Sequence, residues 1–331
     1  MGLLLAILPV ILLIIVLILL DSFKIINYKN VTAFFVLGII ASLFAYFSNN
    51  FLLEFFSVSE SDLVKVYAPI IEEILKFIVI FVVIRKSYSA FLGDTAIYGF
   101  IIGGGFAFTE NLFYFFNLHD TNIMLSIVRG LGTAVMHGSM VALSGIIYIY
   151  FTEIIKKNQS LVLPIALIPS IFIHSAYNHF WLPPIIQTVI ILLVFGLTFI
   201  ILLNKNEEVI NHWIENELDE EMEIVGLFEE GKISQTNIGK YINKIKARFD
   251  PYIVFDMLML LKLNLELSMQ FKVNMMLIKN EIEIPKDDEF SAKIEDYHKL
   301  KKNIGKSAMN ALNPIISRNN IDKWKSKNFE K

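Results

Sequence analysis

The chain has 331 residues, 55% of them hydrophobic, and a mean hydropathy of +0.58. Those values exceed what a water-soluble domain carries and place the chain among membrane proteins. A net charge of −3 offers no basic field for nucleic acid, and the lack of any cysteine excludes disulfides, thiol catalysis and cysteine metal sites together.

Apolar runs long enough to cross a bilayer as helices, about 17–25 residues each, recur about seven times. They cover 3–20, 31–48, 67–84, 95–116, 123–151, 161–180 and 185–203. The first run has no basic flank before it and no small-residue cleavage site after it, so a retained span is expected, not a signal peptide. From Asn204 onward the composition changes: 20 Lys/Arg and 22 Asp/Glu, against 9 and 10 in residues 1–203. In "YIVFDMLMLLKLNLELSMQF" the apolar run is interrupted by Asp256, Lys262 and Glu266, which fits an amphipathic helix better than an eighth span. The expected fold is therefore all-α. A polytopic bundle of about seven transmembrane helices fills residues 1–203, followed by a helical cytosolic domain at 204–331.

The loops alternate in charge. Lys24 and Lys29 follow the first run, Arg85 and Lys86 the third, Lys156 and Lys157 the fifth, and Lys205 the seventh. The loops between them are poor in Lys and Arg, so the positive-inside rule puts the amino terminus outside and the carboxy terminus in the cytosol.

Polar and ionisable groups inside spans are costly and turn toward protein or water. Here they are Glu72, Glu73, Lys76, Glu110, Asn111, Arg129, His137, His174, Asn178 and His179. With the topology above, helical rise puts Glu73, Glu110, His137 and His174 at one depth, about 9 Å below the outer surface. Four helices delivering carboxylates and imidazoles to one level point to one site. Glu72, Glu73 and Lys76 share one arc of their helix, and His174 and Asn178 are i,i+4 neighbours. Lys76 most simply pairs with Glu72, which leaves Glu73 free to titrate. Close helix approach is provided by Gly99 and Gly103 and by the stripe Gly130, Ala134, Gly138 and Ala142. A lone buried His, or an isolated Glu–Lys pair, would be read as packing; the set at one depth is not.

Carboxylates and imidazoles around a water are equipment for hydrolysis. A buried Glu can take a proton from water and return it to a leaving amine, while imidazoles and the Asn178 amide steady an oxyanion. The same groups could hold Zn²⁺, which acidifies bound water; metal-free, glutamate-activated water is the equal alternative. No HExxH signature is present. Intramembrane Glu/His chains also mark transporters and proton relays, but no inverted repeat is visible.

Four motifs in order, "EEILK", "FAFTEN", the His137 of "MHGSM", and "HSAYN", resemble those of the PrsW family of intramembrane proteases over about residues 60–185. The wider group holds type II CAAX prenyl endopeptidases, bacteriocin-processing enzymes and the non-proteolytic Aph-1-like scaffolds. The resemblance implies catalytic roles for Glu72, Glu73, Glu110, His137, His174 and Asn178. It also implies a membrane-anchored protein or peptide as substrate, with anti-sigma factors as the family's best-known case, and residence in a bacterial plasma membrane. The segment from 204 onward lies outside the resemblance and is expected to serve a cytosolic partner or regulation.

Overall fold

The computed structural model describes residues 2–118, 123–285 and 288–329, and every regular element among the described residues is helical. The chain divides into two compact units, one comprising residues up to Asp21 and Ile25–Asn206, the other Ser22–Lys24 and Glu207 onward.

The first unit holds α1 (Gly2–Leu19), α2 (Tyr28–Phe56), α3 (Ala68–Arg85), α4 (Leu92–Leu118), α5 (Ala134–Ile149) and α6 (Gln159–Asn178). It also holds the first part of α7 (Pro184–Glu229). Each of the seven apolar runs overlaps one of these helices, the fifth also taking in a short helix at Ile123–Ile127. Side-chain caps start two of them: Asn27 Oδ1 accepts from the Lys29 amide, and Asn158 Oδ1 from the Ser160 amide. Single π turns lead into α3 (Leu63–Tyr67) and α5 (Val128–Thr133), and a third follows α5 (Tyr150–Ile154). The overlong fifth run is thus a helix wound wider at both ends, a distortion frequent beside functional sites.

Among the described residues, four helices are long and apolar enough to cross a membrane: Tyr28–Phe56, Gly130–Ile154, Gln159–Asn178 and Pro184–Glu229. The expected seven are not all of this kind, and the reason is chemical. The apolar stretch of α1, Leu3–Leu19, is shorter. α3 carries Glu72, Glu73, Lys76 and Arg85, and α4 carries Asp94, Glu110 and Asn111. Apolar side chains such as Phe44, Phe47, Leu193 and Leu197 stand exposed on α2 and α7, as a lipid-facing surface requires.

α4 is the centre of the unit, with every residue from Ala96 to Ala107 buried. Its glycines explain how α5 comes so near. A Cβ at Gly99 would lie 2.7 Å from Ala142 Cα, and one at Gly103 would fall on the His137 main chain. The expected close approach of these two helices is what the structure contains. Gly103→Val should therefore displace His137: overpacking costs about 1–3 kcal/mol. Misplacing a site residue by about 1 Å costs on the order of 10²-fold in rate. Thermal unfolding and peptide cleavage measured on one preparation check this; unchanged cleavage would show that the contact does not position His137.

The second unit begins in α7, which runs through the expected boundary after Leu203 without a break. The stretch from Asn204 to Val225 contains neither Gly nor Pro to stop it. α8 (Asn237–Ile245), α9 (Pro251–Lys279), α10 (Asp288–Ile316) and α11 (Asn320–Phe329) complete it. Gly305, at φ 72°, kinks α10, a left-handed conformation that favours glycine. The apolar side of α9, with Met257, Leu260, Leu261 and Leu267, packs on Ile242, Leu312 and Ile316 in a core of its own. Lys272 is fully buried but paired with Glu217 at 3.0 Å and Glu221 at 2.6 Å. Lys262 and Glu266 pair at 3.6 Å. This pattern of apolar core and paired charge is that of an amphipathic helix in a helical domain.

Candidate active site

Five of the six expected catalytic residues meet, together with Lys76. α3 supplies Glu72, Glu73 and Lys76, α4 supplies Glu110, α5 supplies His137 and α6 supplies His174. Glu73, Lys76, His137 and His174 are each at most 1% exposed. Lys76 does not pair with Glu72 as expected. Its Nζ donates to Glu73 Oε1 at 2.6 Å and to His137 Nδ1 at 2.8 Å, and sits 4.5 Å from the Phe106 ring centre. Both i,i+3 and i,i+4 partners are within reach of a helical lysine. The choice is made by α5 and α6, which hold Lys76 and Glu73 from outside the helix.

The acceptor-only nature of a carboxylate orders the rest. Glu73 Oε1 lies 2.7 Å from His174 Nδ1, so that nitrogen carries the proton and Nε2 keeps a lone pair, 3.8 Å from Glu72 Oε2. Lys76 donates to His137 Nδ1, so Nε2–H of that ring donates to Glu110 Oε2 at 2.5 Å. The two imidazoles stand perpendicular, 4.9 Å between centres. Glu72 Oε2 is buried with no hydrogen-bond partner. Glu72 lines a cleft of about 440 Å³ together with the polar side chains of Glu110, His174 and Asn178 and the aromatic rings of Tyr46, Phe106, Phe113 and Tyr114.

Asn178 also lines this cleft, but its Nδ2 donates to the Val64 carbonyl at 3.0 Å, and Ser175 Oγ donates to the Lys65 carbonyl at 2.5 Å. These side chains of α6 hold the π turn Leu63–Tyr67 and do not join the carboxylate–imidazole cluster. Asn111 is likewise structural, bonding the Ala6 carbonyl at 2.9 Å and Thr133 Oγ1 at 3.0 Å. His179 bonds the Ser175 carbonyl at 2.7 Å. The Arg129 side chain lies outside the described residues. Two contributors were not legible in the sequence. Phe106 reads as one more apolar residue, and Asn49 lies just past the end of the second apolar run.

Lys76 carries a quantitative expectation. Removing one partner of a buried ion pair leaves an uncompensated charge and costs about 3–5 kcal/mol. Lys76→Met should lower stability on that scale, and adding Glu73→Gln should restore part of the loss. Unfolding in mixed micelles checks it; equal stability of Lys76→Met and the parent would show that the pair is not intact.

Glu72, His137 and His174 offer ligand atoms all within 4.8 Å of one another. A carboxylate with an orphaned buried oxygen and two imidazoles fit a borderline cation such as Zn²⁺, for which His₂Glu is a known catalytic donor set. Glu73, bonded to the far nitrogen of His174, is placed as the outer carboxylate that fixes a ligand's ring and tautomer.

Helices fit to cross a membrane, built around buried carboxylates and imidazoles that open on a cleft, define a membrane-embedded hydrolase. The sequence model of the PrsW family of intramembrane metalloproteases matches residues 27–203, more than half of the chain. The chain belongs to that family and is an integral membrane peptidase. No curated protein and no solved structure shows significant similarity to it.

Proposed function

We propose that the protein cuts a peptide bond of a single-span membrane protein at the Glu72–His137–His174 cluster. The observation that carries this reading is the buried Glu72 Oε2, without a hydrogen-bond partner, on a residue lining a cleft that also carries aromatic side chains. A divalent cation held by Glu72, His137 and His174 would acidify a water and polarise the scissile carbonyl. Glu73 keeps the His174 Nε2 lone pair directed at the site. Lys76 holds Glu73 and His137 in register. Glu110, facing the same cleft, is the carboxylate placed to take the water proton and return it to the leaving amine.

One observation favours a metal-free variant: His137 Nε2 is already engaged by Glu110, which leaves Glu72 Oε2 as the acceptor for a water proton. Both variants need Glu72. The substrate class extends to anti-sigma factors by family likeness. Incubation of the purified protein with synthetic single-span peptides in liposomes tests the reading. One defined endoproteolytic cut, located by mass spectrometry, is expected; intact peptide beside proton flux into the liposomes would favour a relay.

We place α1, α3 and α4 across the bilayer with the other four helices, the amino terminus outside and residues from Asn204 onward in the cytosol as a regulatory or partner-binding domain. This follows the alternating Lys/Arg loops. A reporter fused after Leu203 should report from the cytosol, and one at 117–122 from outside. Both on one side would remove the topology.

A further inference from the structure

The cleft contains a second unpartnered acceptor. Asn49 Oδ1, on α2, is buried without a hydrogen-bond partner. The same residue lines the cleft that holds Glu72, Glu110 and His174. Its amide is close enough to act on the Glu72 carboxylate across the shared cleft. A carboxylate oxygen repels a carbonyl oxygen and accepts from an NH₂ group, so Nδ2 is the end suited to Glu72 and Oδ1 is left as the acceptor without a partner. An unsatisfied buried acceptor costs about 1–3 kcal/mol and calls for a donor. Within hydrocarbon, where water is scarce, a cleft built for a peptide supplies one: the main-chain N–H of the substrate.

We propose that Asn49 is a substrate-binding residue whose Oδ1 accepts a main-chain N–H beside the scissile bond and holds the strand against Glu72. The proposal rests on the peptidase reading above. α2 thereby becomes a working wall of the cleft, although the residues with ionisable chemistry all lie on α3 to α6. Extended peptides carry their N–H groups on alternating sides, so a single acceptor recognises one position and leaves sequence choice to the aromatic side chains lining the cleft.

The test uses the full-length protein and a single-span peptide that it cleaves, resynthesised as a series with one backbone N–H at a time replaced by an ester oxygen. The ester keeps the side chains and deletes one donor. With the parent enzyme, one ester position near the cut should raise KM about tenfold, the size of one lost hydrogen bond to a buried group. Asn49→Ala should raise KM for the all-amide peptide by a similar factor, change kcat little, and be indifferent to that ester. Asn49→Asp keeps the acceptor and the shape, and should retain the ester sensitivity even if its added charge beside Glu72 slows the reaction. Thermal unfolding confirms that each variant is folded. Losses from Asn49→Ala and the ester that multiply at every position, or a fall in kcat alone, would overturn the proposal. If Asn49→Ala does not fold, the ester scan with Asn49→Asp decides by the same criterion. A parent enzyme that cleaves no peptide overturns the peptidase reading itself. A parent that cleaves, with no ester position dependent on Asn49, overturns only this one.

Discussion

Glu72→Gln should lower peptide cleavage by on the order of 10²-fold or more and leave stability almost unchanged. Gln keeps the shape of the side chain but removes both the anionic ligand and the proton acceptor, and Glu72 Oε2 has no short hydrogen bond to lose. Glu73→Gln should behave differently. Its Oε1 bonds both Lys76 and His174, so the substitution breaks a buried ion pair and frees the His174 ring. Activity and stability should fall together, the latter by about 3–5 kcal/mol. Cleavage rates and unfolding midpoints of the two variants, measured side by side, separate the roles. A destabilised Glu72→Gln beside a stable, inactive Glu73→Gln would reverse the assignment.

Chelation should have an effect of comparable size. If a cation is held by Glu72, His137 and His174, dialysis against a strong chelator should abolish cleavage and Zn²⁺ should restore it. His137→Ala and His174→Ala should then each lose the bound metal, measured by elemental analysis of the purified protein. Full activity after the metal has been removed to well below one ion per chain would select glutamate-activated water, with Glu72 as the base.

The helices were legible because apolar length is a property of local sequence. Each of the seven apolar runs overlaps a helix, and the stripe of small residues marked where α4 and α5 touch. The cluster was legible for the same reason: ionisable residues in apolar runs are few, and helical rise converts their positions into a common level. What the sequence does not carry is the choice among partners from different helices. Lys76 reaches Glu73, not Glu72, because His174 and His137 approach from α6 and α5, and no spacing on α3 records that. Asn178 shares a face with His174 yet bonds the Val64 carbonyl, because the π turn Leu63–Tyr67 stands opposite it. That turn, in "LVKVY", has no compositional mark. Nor does the passage of α7 through Leu203, since a change of composition is not a helix stop.

The central claim is that Glu72 and His174 act in one hydrolytic unit. Groups that act together are lost together, so their deletions are not additive. The direct measurement is the single-turnover cleavage rate of one single-span peptide by the parent, Glu72→Gln, His174→Ala and the double variant, at equal folded concentration. The account predicts a double variant about as slow as the slower single variant. Losses that multiply across the two positions, or single variants that cleave at the parental rate, would contradict it.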